Sequence, residues 1–377
     1  MSSSDARAKL RIAFLGARGV IGTYSGIETY YEEVGSRLAA RGHQVTAYCR
    51  NYFTPDVPEY RGIAVRRLPC LRGKHTETIS HSLLGTFDCL FRPFDIVQYH
   101  AIGSSPLALL PRLFGKKTVV SVRGLDWQRA KWGGFARRVL QFGEWAAATF
   151  PSATGVVSHT LEAHYEKAHG KKVHCIPNAV EKAQLAPLER LPALGLAGGD
   201  YLLFAGRISP EKGVDTLLEA LKPLAPLLRG RKLLIAGGSS FTDSYIEEMK
   251  ALAWEDVIFL GRVDRAYMAE LYSHCLAFIL PSAMEGLSVA LLEAVSYGLP
   301  IITTDIPENR EVVGEAALLF PYGDAPALRE CLRRLLADAD FVAALREKAR
   351  ARAAAQPGWD EVAEATEDFY LRILGRR

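Results

Sequence analysis

No apolar run in this 377-residue sequence reaches the ~18–20 residues of a membrane-spanning helix. No secretory leader is expected from MSSSDARAKLRIAFLG, which sets charges directly before a short apolar stretch. Cysteine is scarce. The six (Cys49, Cys70, Cys89, Cys175, Cys275, Cys331) form no Cys-x-x-Cys pair, and most fall in or beside apolar runs. Reduced core thiols in a cytoplasmic protein are expected. Metal-ligand spacing is missing too. His159, His164 and His169 are five apart and do not share one helix face. Asp338-Ala339-Asp340 sits between two C-terminal helical stretches and reads as a helix-junction cap. No metal and no cofactor are therefore expected.

What is present is a globular composition, 49% hydrophobic and 23% charged, in a chain long enough for two domains. The net charge of +4 conceals an asymmetry. Residues 1–185 hold 25 Lys and Arg against 14 Asp and Glu, and the rest hold 21 against 28. A basic first half suits an anionic partner: a membrane surface, lipid phosphate or nucleic acid. Opposite charges helping two domains face each other explain it equally well. Residues 127–150 add three of the five tryptophans among basic side chains. That is the composition of an interfacial amphipathic segment, or of an ordinary helix covering a sheet.

Periodicity predicts two α/β patterns in series. A strand at 10–15, a helix at 27–41 and a strand at 44–49 open a doubly wound domain. Further strands are expected at 63–68, 95–99, 118–122, 154–158 and 173–176. A loop rich in Leu, Pro, Ala and Gly over 184–200 reads as the domain boundary. The second pattern has strands at 201–205, 232–236, 257–260, 276–280, 301–304 and 318–320. Its helical tail, 325–374, is broken at Pro357-Gly358.

Chemistry is expected at the carboxyl ends of such strands. Gly16, Gly19 and Gly22 suggest a dinucleotide fingerprint, but the loop to Gly26 is too long to feed the helix at once, and Arg50-Asn51 offers no acid for a ribose. A Gly-rich loop carrying Arg18, Tyr24, Ser25 and Gly26 better suits contact with a bound substrate; a plain βα loop is the alternative. His100, Arg123 and Asp126 stand at strand ends. In the second half Arg207 and Lys212 flank a strand-to-helix turn, where a guanidinium and an ammonium suit a diphosphate. Pairing with acids such as Glu211 or Asp215 would also account for them. Arg262 follows another strand.

Residues 281–300, PSAMEGLSVALLEAVSYGLP, carry the most distinctive spacing. Glu285 lies in a loop, Ser288 is a good N-cap, and Glu293 falls inside the helix that follows. Backbone N–H groups of Gly286, Leu287 and Ser288 sit at the positive helix end, where phosphate oxygens bind well. Two carboxylates with N–H groups between them suit a sugar nucleotide, hydroxyls at the ends and diphosphate in the middle. A dipole-assisting Glu285 and a solvated Glu293 would look the same.

Three motifs together resemble the family 4 retaining glycosyltransferases of GT-B architecture. They are the Glu285-x7-Glu293 element, Gly206-Arg207 with Glu211-Lys212-Gly213, and Ile176-Pro177-Asn178-Ala179-Val180. GARGVIGTYSGIETYYEEV and VRGLDWQRAKWG are similar to the N-terminal domain of bacterial rhamnosyltransferase-like enzymes. The resemblance implies two Rossmann-like domains facing across a cleft, residues 1–183 with a returning C-terminal helix, 360–377, and residues 184–359. It implies transfer of a hexosyl or 6-deoxyhexosyl group from a UDP- or dTDP-sugar to a hydroxyl of a glycan or lipid-linked acceptor, with retention and without metal.

By the same resemblance, Glu293 would bind ribose, Glu285 the transferred sugar, and Arg207 and Lys212 the diphosphate. Gly286, Leu287, Ser288, Arg262 and Gly26 would complete the donor site, and His100 would lie by the anomeric carbon. Tyr24, Ser25, Arg123 and Asp126 would face the acceptor. The implied protein sits in the cytoplasm, or on the inner membrane face through its basic half, and takes no nucleic acid. A sugar phosphorylase or synthase of the same fold, or a non-catalytic relative, is the alternative. A dinucleotide oxidoreductase is disfavoured by the loop, and no Tyr-x-x-x-Lys pair occurs.

Overall fold

The computed structural model describes residues 9–21, 26–73, 76–128, 132–238 and 242–376. The expected Tyr24 and Ser25 contacts lie outside the described residues. The chain divides into two units, one of 1–178 with 359–377 and one of 179–358.

The first unit is built on an eight-stranded sheet. Its strands are β1 (Arg11–Leu15), β2 (Gln44–Arg50), β3 (Glu59–Tyr60), β4 (Ile63–Leu68), β5 (Ile96–His100), β6 (Lys117–Val122), β7 (Ala153–Val156) and β8 (His174–Cys175). They lie in the order β3-β4-β2-β1-β5-β6-β7-β8. All pair in parallel except β3 with β4. The central strands are near-continuous apolar runs because helices cover both faces of a parallel sheet; β1 is buried from Ile12 to Leu15. The short antiparallel β3 carries no period-2 signal and was not expected from the sequence.

The second unit holds six strands: β9 (Tyr201–Ala205), β10 (Lys232–Ala236), β11 (Val257–Gly261), β12 (Ala277–Leu280), β13 (Ile301–Thr304) and β14 (Ala317–Phe320). Their order is β11-β10-β9-β12-β13-β14, all parallel. Both sheets therefore reverse their winding at one place, between β1 and β5 in the first unit and between β9 and β12 in the second. Ligands of open α/β sheets bind outside the carboxyl ends of the strands at such a switch point.

Two boundaries differ from the sequence reading. The cut falls after Asn178, not 183. The 184–200 segment is no slack linker: one Glu270 carboxylate oxygen accepts backbone N–H bonds from Glu189, Arg190 and Leu191 at 2.8–3.0 Å. Leu191 and Leu196 are buried in the second unit's core. The helical stretch after Gly213 is three pieces, Val214–Leu221, a 3-10 turn Lys222–Leu224, and Ala225–Leu228. Pro223 and Pro226 each remove a helix N–H there.

The last helix, Trp359–Leu374, clusters with the first unit. Its Glu367 carboxylate accepts from Arg41 and lies 3.1 Å from His43. Its Tyr370 hydroxyl donates to the Gln98 amide oxygen in the middle of β5. Asp338 caps the helix Ala339–Ala354 by accepting from the Phe341 N–H, the junction role expected for it.

Candidate functional site

In the second unit the chain leaves β9 through Gly206 and Arg207. It passes a 3-10 turn, Pro210–Lys212, and enters the helix Val214–Leu221 through Gly213. Leaving β12, it runs through 281–287 to Ser288, whose hydroxyl caps the helix Val289–Ser296 at Leu291. These two loops leave neighbouring strands at the switch point and are pinned together. The Ala283 N–H donates to the Glu211 carbonyl at 2.9 Å. Gly213, at φ +67°, lets the Pro281 carbonyl approach so closely that a Cβ would stand 2.2 Å from its oxygen.

This packing brings Lys212 to Glu285. Nζ lies 2.5 Å from Oε1, with only 11% and 9% of the two side chains exposed. Lys212 is thus paired, but with Glu285 and not with the Glu211 or Asp215 that its sequence neighbourhood offered. Asp215 instead accepts from the Tyr245 hydroxyl. Gly286, Leu287 and Ser288 lead from that ion pair into the helix N-terminus.

Glu293, inside the helix, is half-buried. Burial pushes its carboxyl above the ordinary glutamate value, and the Tyr272 hydroxyl and Arg265 offset that only partly. Tyr272, fully enclosed and stacked on Tyr297 at 5.4 Å, is a neighbour that sequence spacing could not reveal. Arg207 is half-buried in the loop after β9, and Arg262 is exposed after β11 with its stem against Gly238. Beside these loops a groove of about 390 Å³ opens at the ends of β10 and β11, lined by Ile208, Gly237, Gly238, Phe259 and Gly261 among others.

The first unit's switch point is tightly made. Gly16, at φ +109°, lies against the backbone of His100, where a Cβ would meet its oxygen at 2.5 Å. Ala101 follows His100 at φ +67° and ψ 152°, a region nearly confined to glycine. His100 itself is sealed in, packed on Phe14, Tyr30 and Tyr31 and 3.0 Å from the Gln98 amide nitrogen. Burial, with Arg123 nearby, holds its pKa well below the ordinary value. A sealed ring leaves the donor-side role of His100 resting on resemblance alone.

Arg123 stacks over Tyr30 at 4.1 Å and donates to the Asn178 side chain. Burial lowers its pKa to about 10. The structure thus gathers His100 and Arg123 around one tyrosine. Gln98, Asn178 and Tyr370 complete that cluster. None of the three was singled out as a site residue, because their partners lie far away in sequence. Asp126 is half-buried in the 3-10 turn Asp126–Gln128, and Gly26 opens the helix Gly26–Ala40.

Residues 193–352 match the model described as glycosyl transferases group 1, and residues 24–184 match Glycosyltransferase Family 4. The chain carries the two domains of a glycosyltransferase. It is 28% identical to a D-inositol 3-phosphate glycosyltransferase of Jonesia denitrificans, over 91% of this chain and 90% of that one. It is 29% identical to O-antigen chain mannosyltransferase B of Escherichia coli, over 49% of this chain and half the length of that relative.

Among solved structures it resembles a sucrose-phosphate synthase from Thermosynechococcus elongatus, with a TM-score of 0.82, 22% identity, and 98% and 100% of the two chains covered. Anabaena HepE, solved in complex with UDP-glucose, aligns at 0.78 with 17% identity over 96% and 99%. The fold of this glycosyltransferase is GT-B.

Proposed function

We propose that the second unit binds a nucleoside-diphosphate sugar and that the protein transfers its hexosyl or 6-deoxyhexosyl group, with retention and without metal, to a hydroxyl of a glycan or lipid-linked acceptor in surface polysaccharide synthesis. The Lys212–Glu285 pair at the switch point supports this reading most strongly. Glu285 offers an acceptor for sugar hydroxyls, and Lys212 offers a cation for the β-phosphate.

When the anomeric C–O bond breaks with oxocarbenium character, negative charge grows on the leaving diphosphate. Lys212, Arg207 and the positive end of the helix Val289–Ser296 stabilise that charge; such preorganised groups are worth roughly 3–4 kcal/mol each in comparable sites. Glu293 takes the ribose hydroxyls, and the 390 Å³ groove beside Ile208 and Gly238 has room for a base. The departing phosphate can itself take the acceptor proton, so the reaction requires no protein base.

The test is a thermal-shift panel of UDP, dTDP, GDP, ADP and NADP, with and without magnesium. A ligand that binds only the folded state raises the melting temperature. One nucleoside diphosphate raising it, equally with and without magnesium, is the expected result. A shift with NADP alone, or silence across the panel, overturns the reading.

A further inference from the structure

Sequence spacing separated His164 from His169 and offered them no third ligand. The fold supplies one. Glu144, on the helix Gly134–Thr149, is buried, and its Oε1 accepts from His164 Nε2 at 2.7 Å and from His169 Nε2 at 2.9 Å. Both imidazoles belong to the helix His159–His169, and their rings stand 6.4 Å apart at 78°. The three ligand atoms lie within 4.8 Å of one another. Oε2, the other carboxylate oxygen, accepts from the Trp127 indole N–H at 2.5 Å. Two imidazoles converging by Nε2 on one oxygen, with the second oxygen fixed from behind, form a His2Glu set with its supporting bond in place.

We propose that Glu144, His164 and His169 form a binding site for one zinc-class divalent cation. Ligands at ~2.0–2.1 Å around a tetrahedral ion stand about 3.3 Å apart. Each imidazole therefore needs to retreat from Oε1 by only about half an ångström to admit the ion. The cation takes the place of the two Nε2 protons, and each imidazole, neutral as a ligand, then carries its one proton on Nδ1. Two nitrogens and a carboxylate oxygen favour zinc, cobalt or nickel over magnesium or calcium. His164 keeps 32% of its side chain exposed, so water reaches the fourth position.

The ion's effect is to tie three segments together: the helix Gly134–Thr149, the helix His159–His169, and the turn of Trp127 that follows Arg123. The site uses none of the donor-binding residues and does not depend on glycosyl transfer.

The test is cobalt titration of tag-free, EDTA-stripped full-length protein, read by visible absorption. One equivalent of Co2+ is expected to give the d–d bands of a low-coordinate nitrogen and oxygen site, without thiolate charge transfer, and zinc is expected to bleach them. His164→Gln with His169→Gln keeps donors towards Glu144 while removing both ligands, and is expected to weaken binding at least about 100-fold with unchanged circular dichroism. Trp127→Phe is expected to weaken it about tenfold. Zinc raises the melting temperature of the wild type and not of the double variant. No cobalt bands in the wild type, or the same bands in the double variant, overturns the proposal.

Discussion

At the residue scale, Glu293 carries a conflict between folding and binding. Its pKa is raised by burial, so the folded protein holds this proton more tightly than the unfolded chain does. The stability it contributes is present below the ordinary glutamate value and is lost as pH rises through the raised one. A ribose hydroxyl donates best to the ionised form, so binding runs the other way. Nucleotide affinity, by calorimetry, is expected to fall as pH drops through a range above that of ordinary glutamate. Glu293→Gln is expected to show no such pH dependence, and Glu293→Ala to bind weakly throughout. Equal affinity in wild type and Glu293→Ala removes the ribose assignment. Lys212 differs in kind: Lys212→Ala strands a nearly buried Glu285 and is expected to lower kcat by roughly 10²–10³ while nucleotide affinity changes little.

At the element scale, the helix Gly134–Thr149 presents Phe135, Val139, Phe142 and Trp145 to solvent, with Phe135 83% exposed. The spacing of four, three and three puts them on one helical face. Arg137 and Arg138 on the same helix are exposed as well. An apolar stripe with basic flanks suits an anionic lipid surface, as the sequence composition suggested. Sedimentation with anionic liposomes is expected at low salt and, more weakly, at moderate salt, and Phe135→Ser with Phe142→Ser is expected to abolish it. Failure of the wild type to sediment at either salt ends the idea. No helix among the described residues is long and apolar enough to cross a membrane.

The parallel strands of both sheets were legible, unlike the antiparallel β3, because parallel strands buried on two faces are apolar throughout, and glycine and proline mark where they stop. The loops of Lys212 and Glu285 were legible for the same reason: they are the segments that follow such strands. The partners of those loops were not. Glu270 gathering three N–H groups of the 184–200 segment, Tyr272 over Glu293, and Glu144 under two histidines are contacts between distant segments. Local periodicity says nothing about which charged residue a fold will bury. Tyr370 reaching Gln98 across the chain is the extreme case.

At the scale of the whole molecule, acid sensitivity is expected to be concentrated in one unit. His81 is buried on the helix Glu77–Leu90, and burial, reinforced by Arg50, lowers its pKa from 6.5 to about 4 against a weaker opposing bond to Cys49. His100 is also held well below its ordinary value, by its own burial and by Arg123. Both lie in the first unit. A buried neutral histidine contributes its full stability above the unfolded value of 6.5. The unfolded chain takes up the proton first as pH falls, so that contribution is lost progressively from 6.5 down to about 4. Despite burial, the Asp88 carboxyl is held low by the Tyr48 hydroxyl, Arg92 and Arg66, and that of Asp95 by Arg11, so their contributions are lost only at more acid pH.

For His81 alone the loss is about 2 kcal/mol between pH 6.5 and 5 and about 3 kcal/mol over the whole window. Urea unfolding followed by tryptophan fluorescence reads the first unit selectively, because Trp127, Trp132, Trp145 and Trp359 lie there and only Trp254 lies in the second. The fluorescence midpoint is expected to fall sharply between pH 7 and pH 5. His81→Leu keeps the volume and removes the titration, so it is expected to recover about 2 kcal/mol of that loss. An equal drop in wild type and variant would place the acid sensitivity elsewhere in the unit, with His100 the next group to replace.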